Sequence, residues 1–314
     1  MLVNLAMAVE MTMVIGLSTF FQKYAHVQFN YTEGDASIVI GLLVVPGAAF
    51  GAFFGGYLIN RYAWECKEIL RFSVGLAFVS VFLTLILLVP CGTPDANDGA
   101  MYSTCHTKCN CDNTVYKPIC ALGKRISFSS PCQAGCSKIH SINGNYVNCS
   151  CFPEDVTSAV NGRCDNDCKL FPLFGVGVFL LMVFTYMNDV PMLTIPLRIV
   201  DVHQRSLALG VHQIILRFAG YVPGPIIFGA VIDATCTQWR SGKSKGTAEC
   251  MVYNKNLLMY YVVACSFVLK LVSLFCMVWA SGIYGAIPVC KSPNNEDECP
   301  IISNDSLQMA EDDR

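Results

Sequence analysis

Charge is what this sequence has least of. Only 14% of its 314 residues are Asp, Glu, Lys or Arg, against about 25% in a soluble domain, which argues against a cytosolic enzyme. No excess of one sign compensates. The formal net charge is −2, so the chain carries no electrostatic footprint for nucleic acid. The common motifs of enzyme chemistry are missing too. There is no G-x-S-x-G and no H-E-x-x-H. Gly242-Lys243-Ser244 ends like a phosphate loop, but the glycine needed five residues earlier is Thr237, which removes the nucleotide cradle. The expectation is a protein that is not an enzyme and needs neither metal nor cofactor.

What is abundant is apolar. Hydrophobic residues make up 54% of the chain and the mean hydropathy is +0.47. They fall into six runs, Leu2–Tyr24, Ala36–Arg61, Ile69–Pro90, Leu170–Val190, Ala208–Val231 and Leu257–Ala286. A helix needs about 20 apolar residues to cross a hydrocarbon core, so the reading is an all-α polytopic membrane protein with six transmembrane helices. Residues 1–90 and 170–286 would each hold three, with a loop at 91–169 and a tail at 287–314. That tail carries seven carboxylates and few large apolar groups, the composition of a disordered segment. The first run starts at Met1 with no basic stretch before it and is interrupted by Glu10. This is expected of a signal-anchor or of a chain whose upstream part lies elsewhere, not of a cleaved signal peptide.

The 18 cysteines decide the orientation. Eleven lie in 91–169 and two, Cys236 and Cys250, in 233–256; alternating spans put both segments on one side. Two N-x-S/T acceptors, Asn30 and Asn148, fall on that side as well. Oxidised, glycosylatable loops belong outside the cell, which implies a plasma-membrane protein with both termini cytoplasmic. Basic residues in the short loops are too evenly divided to decide. Cys105, Cys109, Cys111, Cys120, Cys132, Cys136, Cys149, Cys151, Cys164 and Cys168, together with Cys236 and Cys250, are expected to form disulfides whose pairing the sequence does not give. Cys91 is the expected odd one out, and Cys290 and Cys299 in the tail should be reduced. A zinc site built on Cys105-x3-Cys109 and Cys132-x3-Cys136, with His106 and His140 in reserve, is the weaker reading.

The run Cys109-Asn-Cys111, Tyr116-Lys-Pro118-Ile-Cys120 and Phe128-Ser-Ser-Pro131-Cys132-Gln-Ala-Gly-Cys136 resembles a Kazal-like domain. A Kazal-like module between two membrane spans is the layout of the organic anion transporting polypeptides, between their ninth and tenth helices. Leu216-Arg217-Phe218-Ala219-Gly220-Tyr221-Val222-Pro223-Gly224-Pro225 through Asp233, followed by Cys236 and Trp239, is similar to that family's eleventh helix and its exit. Phe21-Gln22-Lys23-Tyr24 resembles the end of the seventh, and Gly55-Gly56-Tyr57-Leu58-Ile59-Asn60-Arg61 the close of the eighth. The six spans then align with the C-terminal half of a twelve-helix, major-facilitator-type carrier. Two features depart from the family: its tryptophan-rich signature is absent, and Ala121 and Phe128 stand where it has glycine and tyrosine.

The resemblance implies sodium-independent transport of large amphipathic organic anions by alternating access. Steroid conjugates, bile-acid-like compounds, thyroid hormones and prostaglandin-like lipids are the implied substrates. The implied partners are those anions, the lipid bilayer, and an N-terminal half or a full-length carrier. The alternative is a non-transporting membrane protein that regulates a full-length carrier or displays the Kazal-like loop. Protease inhibition by that loop is a third reading.

An ionisable group inside a bilayer costs at least about 2.5–3.5 kcal/mol, so each one in a span is a functional candidate. Arg217 lies about ten residues into the fifth span, and the resemblance makes it and Lys23 substrate-binding residues. The alternatives are a helix-packing ion pair for Arg217, with Glu10 or a carboxylate outside this sequence, and a snorkelling interfacial role for Lys23. Glu10 is expected to balance the charge of Arg217 or to carry a proton. Lys270 reads as a packing or lipid-interface residue, His212 as a satisfied helix histidine, and Asp189 as the cytoplasmic end of the fourth span. Gly47-x3-Gly51-x3-Gly55 lines one face of the second span, a surface that lets a neighbour approach closely. Pro223 and Pro225 should break the fifth.

Overall fold

The computed structural model describes residues 2–29, 33–90, 117–121, 126–128, 130–132, 134–139, 146–149, 158–162, 164, 168, 170–200, 202–241 and 248–285. Six apolar stretches in it are long enough to cross a membrane. They are α1 (Leu2–Phe29), α2 (Glu33–Tyr62), α3 (Cys66–Thr84, extended by a 3-10 turn at Leu85–Leu88), α4 (Phe171–Ile199), a fifth span in two pieces, and α7 (Lys255–Gly285). The fifth span consists of α5 (Arg205–Leu216), a π turn at Arg217–Tyr221, and α6 (Pro223–Asp233).

α1 is the hub. Its side chains enter both apolar clusters of the bundle. At one end Phe21, Tyr24 and Phe29 meet Leu87, Phe174, Phe228 and Tyr253. Phe29 and Phe174 have ring centroids 4.6 Å apart, and Tyr24 Oη donates to Leu87 O at 2.9 Å. At the other end Val3, Ala6 and Met7 pack with Ile59, Ile69, Met192, Ile195, Leu216 and Met277. There Arg198 Nη1 donates to Trp64 O at 2.7 Å and ties α4 to the α2–α3 turn.

Two helix seams owe their closeness to glycine. Gly47, Gly51 and Gly55 on α2 face α4. A Cβ on Gly51 would run into Val183 O and lie 3.0 Å from Met187 N, and one on Gly55 would sit 2.7 Å from Met187 O. The small-residue face thus has α4 as its neighbour. Gly220 and Gly224 play the same part against α1, where added Cβ atoms would fall 2.8 Å from Ala8 O and Thr12 O respectively.

The fourth span differs from expectation. The apolar run closes at Val190, yet α4 continues through Pro191 and Pro196 to Ile199. Neighbouring helices make an internal proline tolerable in a membrane bundle. The all-α expectation also holds for the spans alone. Between α3 and α4 lies a five-stranded antiparallel sheet of β1 (Ile119–Ala121), β2 (Ile126–Phe128), β3 (Cys136–Ile139), β4 (Tyr146–Cys149) and β5 (Ser158–Asn161), in the order β2-β1-β5-β4-β3. Between α6 and α7 lies a hairpin, β6 (Cys236–Ser241) and β7 (Ala248–Tyr253).

Short strands with few apolar residues need covalent help. Cys120 is bonded to Cys164, Cys136 to Cys149 across β3 and β4, and Cys236 to Cys250 across the hairpin. Cys132 and Cys168 are disulfide-bonded as well. Cys91, Cys105, Cys109, Cys111, Cys151, Cys290, Cys299, Asn30 and residues 287–314 lie outside the described residues; Asn148 lies on β4.

Candidate functional site

The two apolar clusters are separated by a polar layer half-way along the bundle. On α1 it holds Glu10 and Thr12; on α4, Thr185, Asn188 and Asp189; on α7, Ser266, Lys270 and Ser273; on α3, Ser73. Its centre is an ion pair. Lys270 Nζ donates to Glu10 and, at 2.9 Å, to Thr185 Oγ1. Glu10 is 2% exposed and Lys270 1%, so neither charge has water to fall back on and each depends on the other. Beside them Ser73 Oγ bonds Asn188 Oδ1, and Ser273 Oγ donates to Ala6 O at 3.3 Å. Thr185 and Asp189 are four residues apart on α4, hence on one face. Asp189 is half-buried, and its Oδ1, which is buried, has no hydrogen-bond partner among the described residues.

The fifth span runs alongside this layer and is interrupted there. At Arg217–Tyr221 the backbone widens into a π turn, with Val222 N–H donating to Arg217 O at 3.1 Å. The prolines explain the widening: Pro223 and Pro225 have no N–H to donate back into the preceding turn. Such bulges frequently sit at functional positions. Thr12 Oγ1 donates to Ala219 O within the bulge at 3.3 Å, which fixes its carbonyl against α1. Arg217 itself is exposed and makes no hydrogen bond or ion pair with the described residues. Its guanidinium is therefore free to bind a carboxylate or sulfate with two parallel N–H donors. Lys23 is also exposed, near the far end of α1, with its ammonium 5.0 Å from the Tyr253 ring centroid. The two basic residues occupy different levels of the bundle.

The sequence model of the Organic Anion Transporter Polypeptide (OATP) family matches residues 1–258. The chain belongs to this family. It is 30% identical to human solute carrier organic anion transporter family member 4C1 over 319 residues, covering 94% of this chain and 44% of that protein. It is 33% identical to human member 6A1 over 303 residues, 89% and 42% of the two chains. It is 30% identical to human member 1B1 over 296 residues, 84% and 42%. The chain thus spans less than half the length of the relatives it matches. With six apolar spans, this OATP-family chain is a multi-pass membrane protein.

Several expectations for the charged residues change. Glu10 does not balance Arg217; its partner is Lys270, on the last span. Of the two roles expected for Lys270 the packing one holds: it lies in the core, away from the lipid interface. Asp189 is not at a helix end but ten residues inside α4, in the polar layer. His212 is buried, with Nδ1 3.1 Å from Asn4 Oδ1, an acceptor, while Nε2 has no partner among the described residues. Reading the sequence for charge balance would have found the central pair. Glu10 and Lys270 are the ionisable residues of opposite sign at the middle of α1 and α7, and two such groups in one bundle are expected to meet.

Proposed function

We propose that this chain forms the C-terminal, six-helix half of a plasma-membrane carrier that moves large amphipathic organic anions by alternating access, independently of sodium. The termini are cytoplasmic and the stapled β units extracellular, the larger one Kazal-like. Steroid conjugates, bile-acid-like compounds, thyroid hormones and prostaglandin-like lipids are the substrate class. The observation that carries this reading is Arg217: an exposed guanidinium without a partner among the described residues, on the π turn that interrupts an apolar span. Carriers build their sites at such interruptions near the bilayer midplane. Arg217 binds the anionic group, apolar helix faces hold the body of the substrate, and Lys23 acts nearer the extracellular mouth. The polar layer behind α1 keeps the half rigid while it rocks against a second half.

Uptake of a labelled sulfated steroid tests the reading. Cells expressing this chain with the N-terminal half of a family member should take it up above background. Arg217→Ala should lower that uptake by at least roughly tenfold at unchanged surface level, the equivalent of one lost charge-assisted hydrogen bond. Unchanged uptake in the variant makes Arg217 structural. A second reading is favoured by the uncovered aromatic face of α2, where Phe50, Phe53, Phe54 and Tyr57 are all exposed. On that reading the chain docks on a full-length carrier and modulates it without transporting. It predicts background uptake for the chain with an N-terminal half, and altered uptake when it is co-expressed with the full-length carrier.

A further inference from the structure

We propose that Tyr253 is a positioning residue for Lys23: its ring, held by the stapled β6–β7 hairpin, keeps the Lys23 ammonium where the sulfate or carboxylate of an organic anion reaches it. The proposal rests on reading Lys23 as an anion-binding residue.

Lys23 stands on α1 six residues before the helix ends at Phe29. Phe21 and Tyr24 beside it enter the apolar cluster, while Lys23 stays exposed. A lysine in that place ordinarily lays its stem along apolar surface and lets the head find water. Here the ammonium lies over the Tyr253 ring, 5.0 Å from its centroid, inside the ~6 Å over which a ring face attracts a cation. Among the described residues Lys23 has no hydrogen bond or ion pair. The choice of partner matters chemically. A carboxylate would neutralise the ammonium, whereas an uncharged ring fixes its direction and leaves N–H donors open to an anion.

The hairpin makes the ring a fixed object. Tyr253 is 9% exposed and belongs to the same cluster as Tyr24. It pairs with Cys236 across the ladder, and Cys236 is bonded to Cys250. On either side of it, Thr237 Oγ1 donates to Val252 O at 2.9 Å and Asn254 N–H donates to Thr235 O at 3.1 Å. Asn254 Oδ1 in turn accepts the Leu257 N–H at 3.1 Å, at the start of α7. The hydroxyl is not what holds the ring, because Tyr253 Oη is buried with no hydrogen-bond partner among the described residues. The π face is the part of Tyr253 in use, and phenylalanine supplies the same face.

NMR of the full chain in lipid nanodiscs tests it, with the lysines carrying isotope-labelled methyl groups that retain their charge. The Lys23 signal is assigned by its loss in Lys23→Gln. In the wild type it should lie upfield of the other lysines through the ring current of Tyr253, and titration with estrone sulfate should move it. Tyr253→Phe should keep both properties. Tyr253→Leu should abolish the upfield displacement and raise the half-saturating estrone sulfate concentration roughly 2–10-fold, because the anion must then immobilise a free lysine. A wild-type signal without upfield displacement, or an unchanged or lower half-saturating concentration in Tyr253→Leu, overturns the proposal and leaves the anion-binding reading standing. A wild-type signal that estrone sulfate does not move overturns that reading and the proposal with it. If Tyr253→Leu does not fold, a trifluorinated phenylalanine at this position keeps the ring's shape, drains charge from its face and should raise the half-saturating concentration in its stead.

Discussion

Lys270 makes the sharpest case for a single side chain holding this fold together. Removing one partner of a buried pair leaves an uncompensated charge, at a typical cost of about 3–5 kcal/mol. Lys270→Met should therefore destabilise the bundle by that amount in thermal or denaturant unfolding in detergent. Glu10→Gln should cost less, because Asp189 remains to face Lys270. Replacing Glu10 and Lys270 together by Met should recover most of the loss, and equal, additive effects would mean that the two do not interact. Arg217 and Lys23 were legible as candidates because a basic residue in an apolar run stands out. The pairing of Glu10 needed a reading across the whole chain: its partner is 260 residues away, and only the opposite signs at the middle of two spans point from one to the other. Asp189 was misplaced for a different reason. Pro191 reads as a helix stop in water, and only the surrounding helices let α4 pass through it.

Among the helices, the α2–α4 seam turns a sequence pattern into geometry. The stripe Gly47, Gly51, Gly55 was visible in the sequence as a surface for close approach, but its neighbour was not, because helix propensity carries no address. The seam gives a paired prediction. Gly51→Ala puts a methyl group against Val183 O and should destabilise by about 1–3 kcal/mol as an overpacked contact. Gly56→Ala, whose Cβ meets nothing within 4 Å, should stay within about 0.5 kcal/mol of wild type. Similar losses at both positions would show that glycine acts there through the backbone and not through contact with α4. The π turn of the fifth span was half legible. Pro223 and Pro225 announced an interruption, but its position at Arg217–Tyr221 depends on Thr12 receiving the widened backbone across the seam with α1.

For the molecule as a whole, six spans could be read from hydropathy because a bilayer demands long apolar runs. The β units could not. Their strands are three to six residues long, too short for an alternating pattern, and disulfide pairing depends on distances that spacing does not carry. If those units face outward, Asn148 on β4 carries glycan. The expressed protein should then lose mass on treatment with an N-glycosidase, and Asn148→Gln should remove part of that shift; an unglycosylated Asn148 with Asn30 modified would place β4 against a covering surface. The Glu10–Lys270 pair has a consequence for how the chain is made. Ribosomes add roughly 5–20 residues per second, so α1 waits roughly 13–50 s for α7 to emerge after Glu10 is synthesised. During that interval the carboxyl lacks its lysine and must be shielded by water or by the insertion machinery. Birth order thus makes α7 the helix that completes the charge balance of α1.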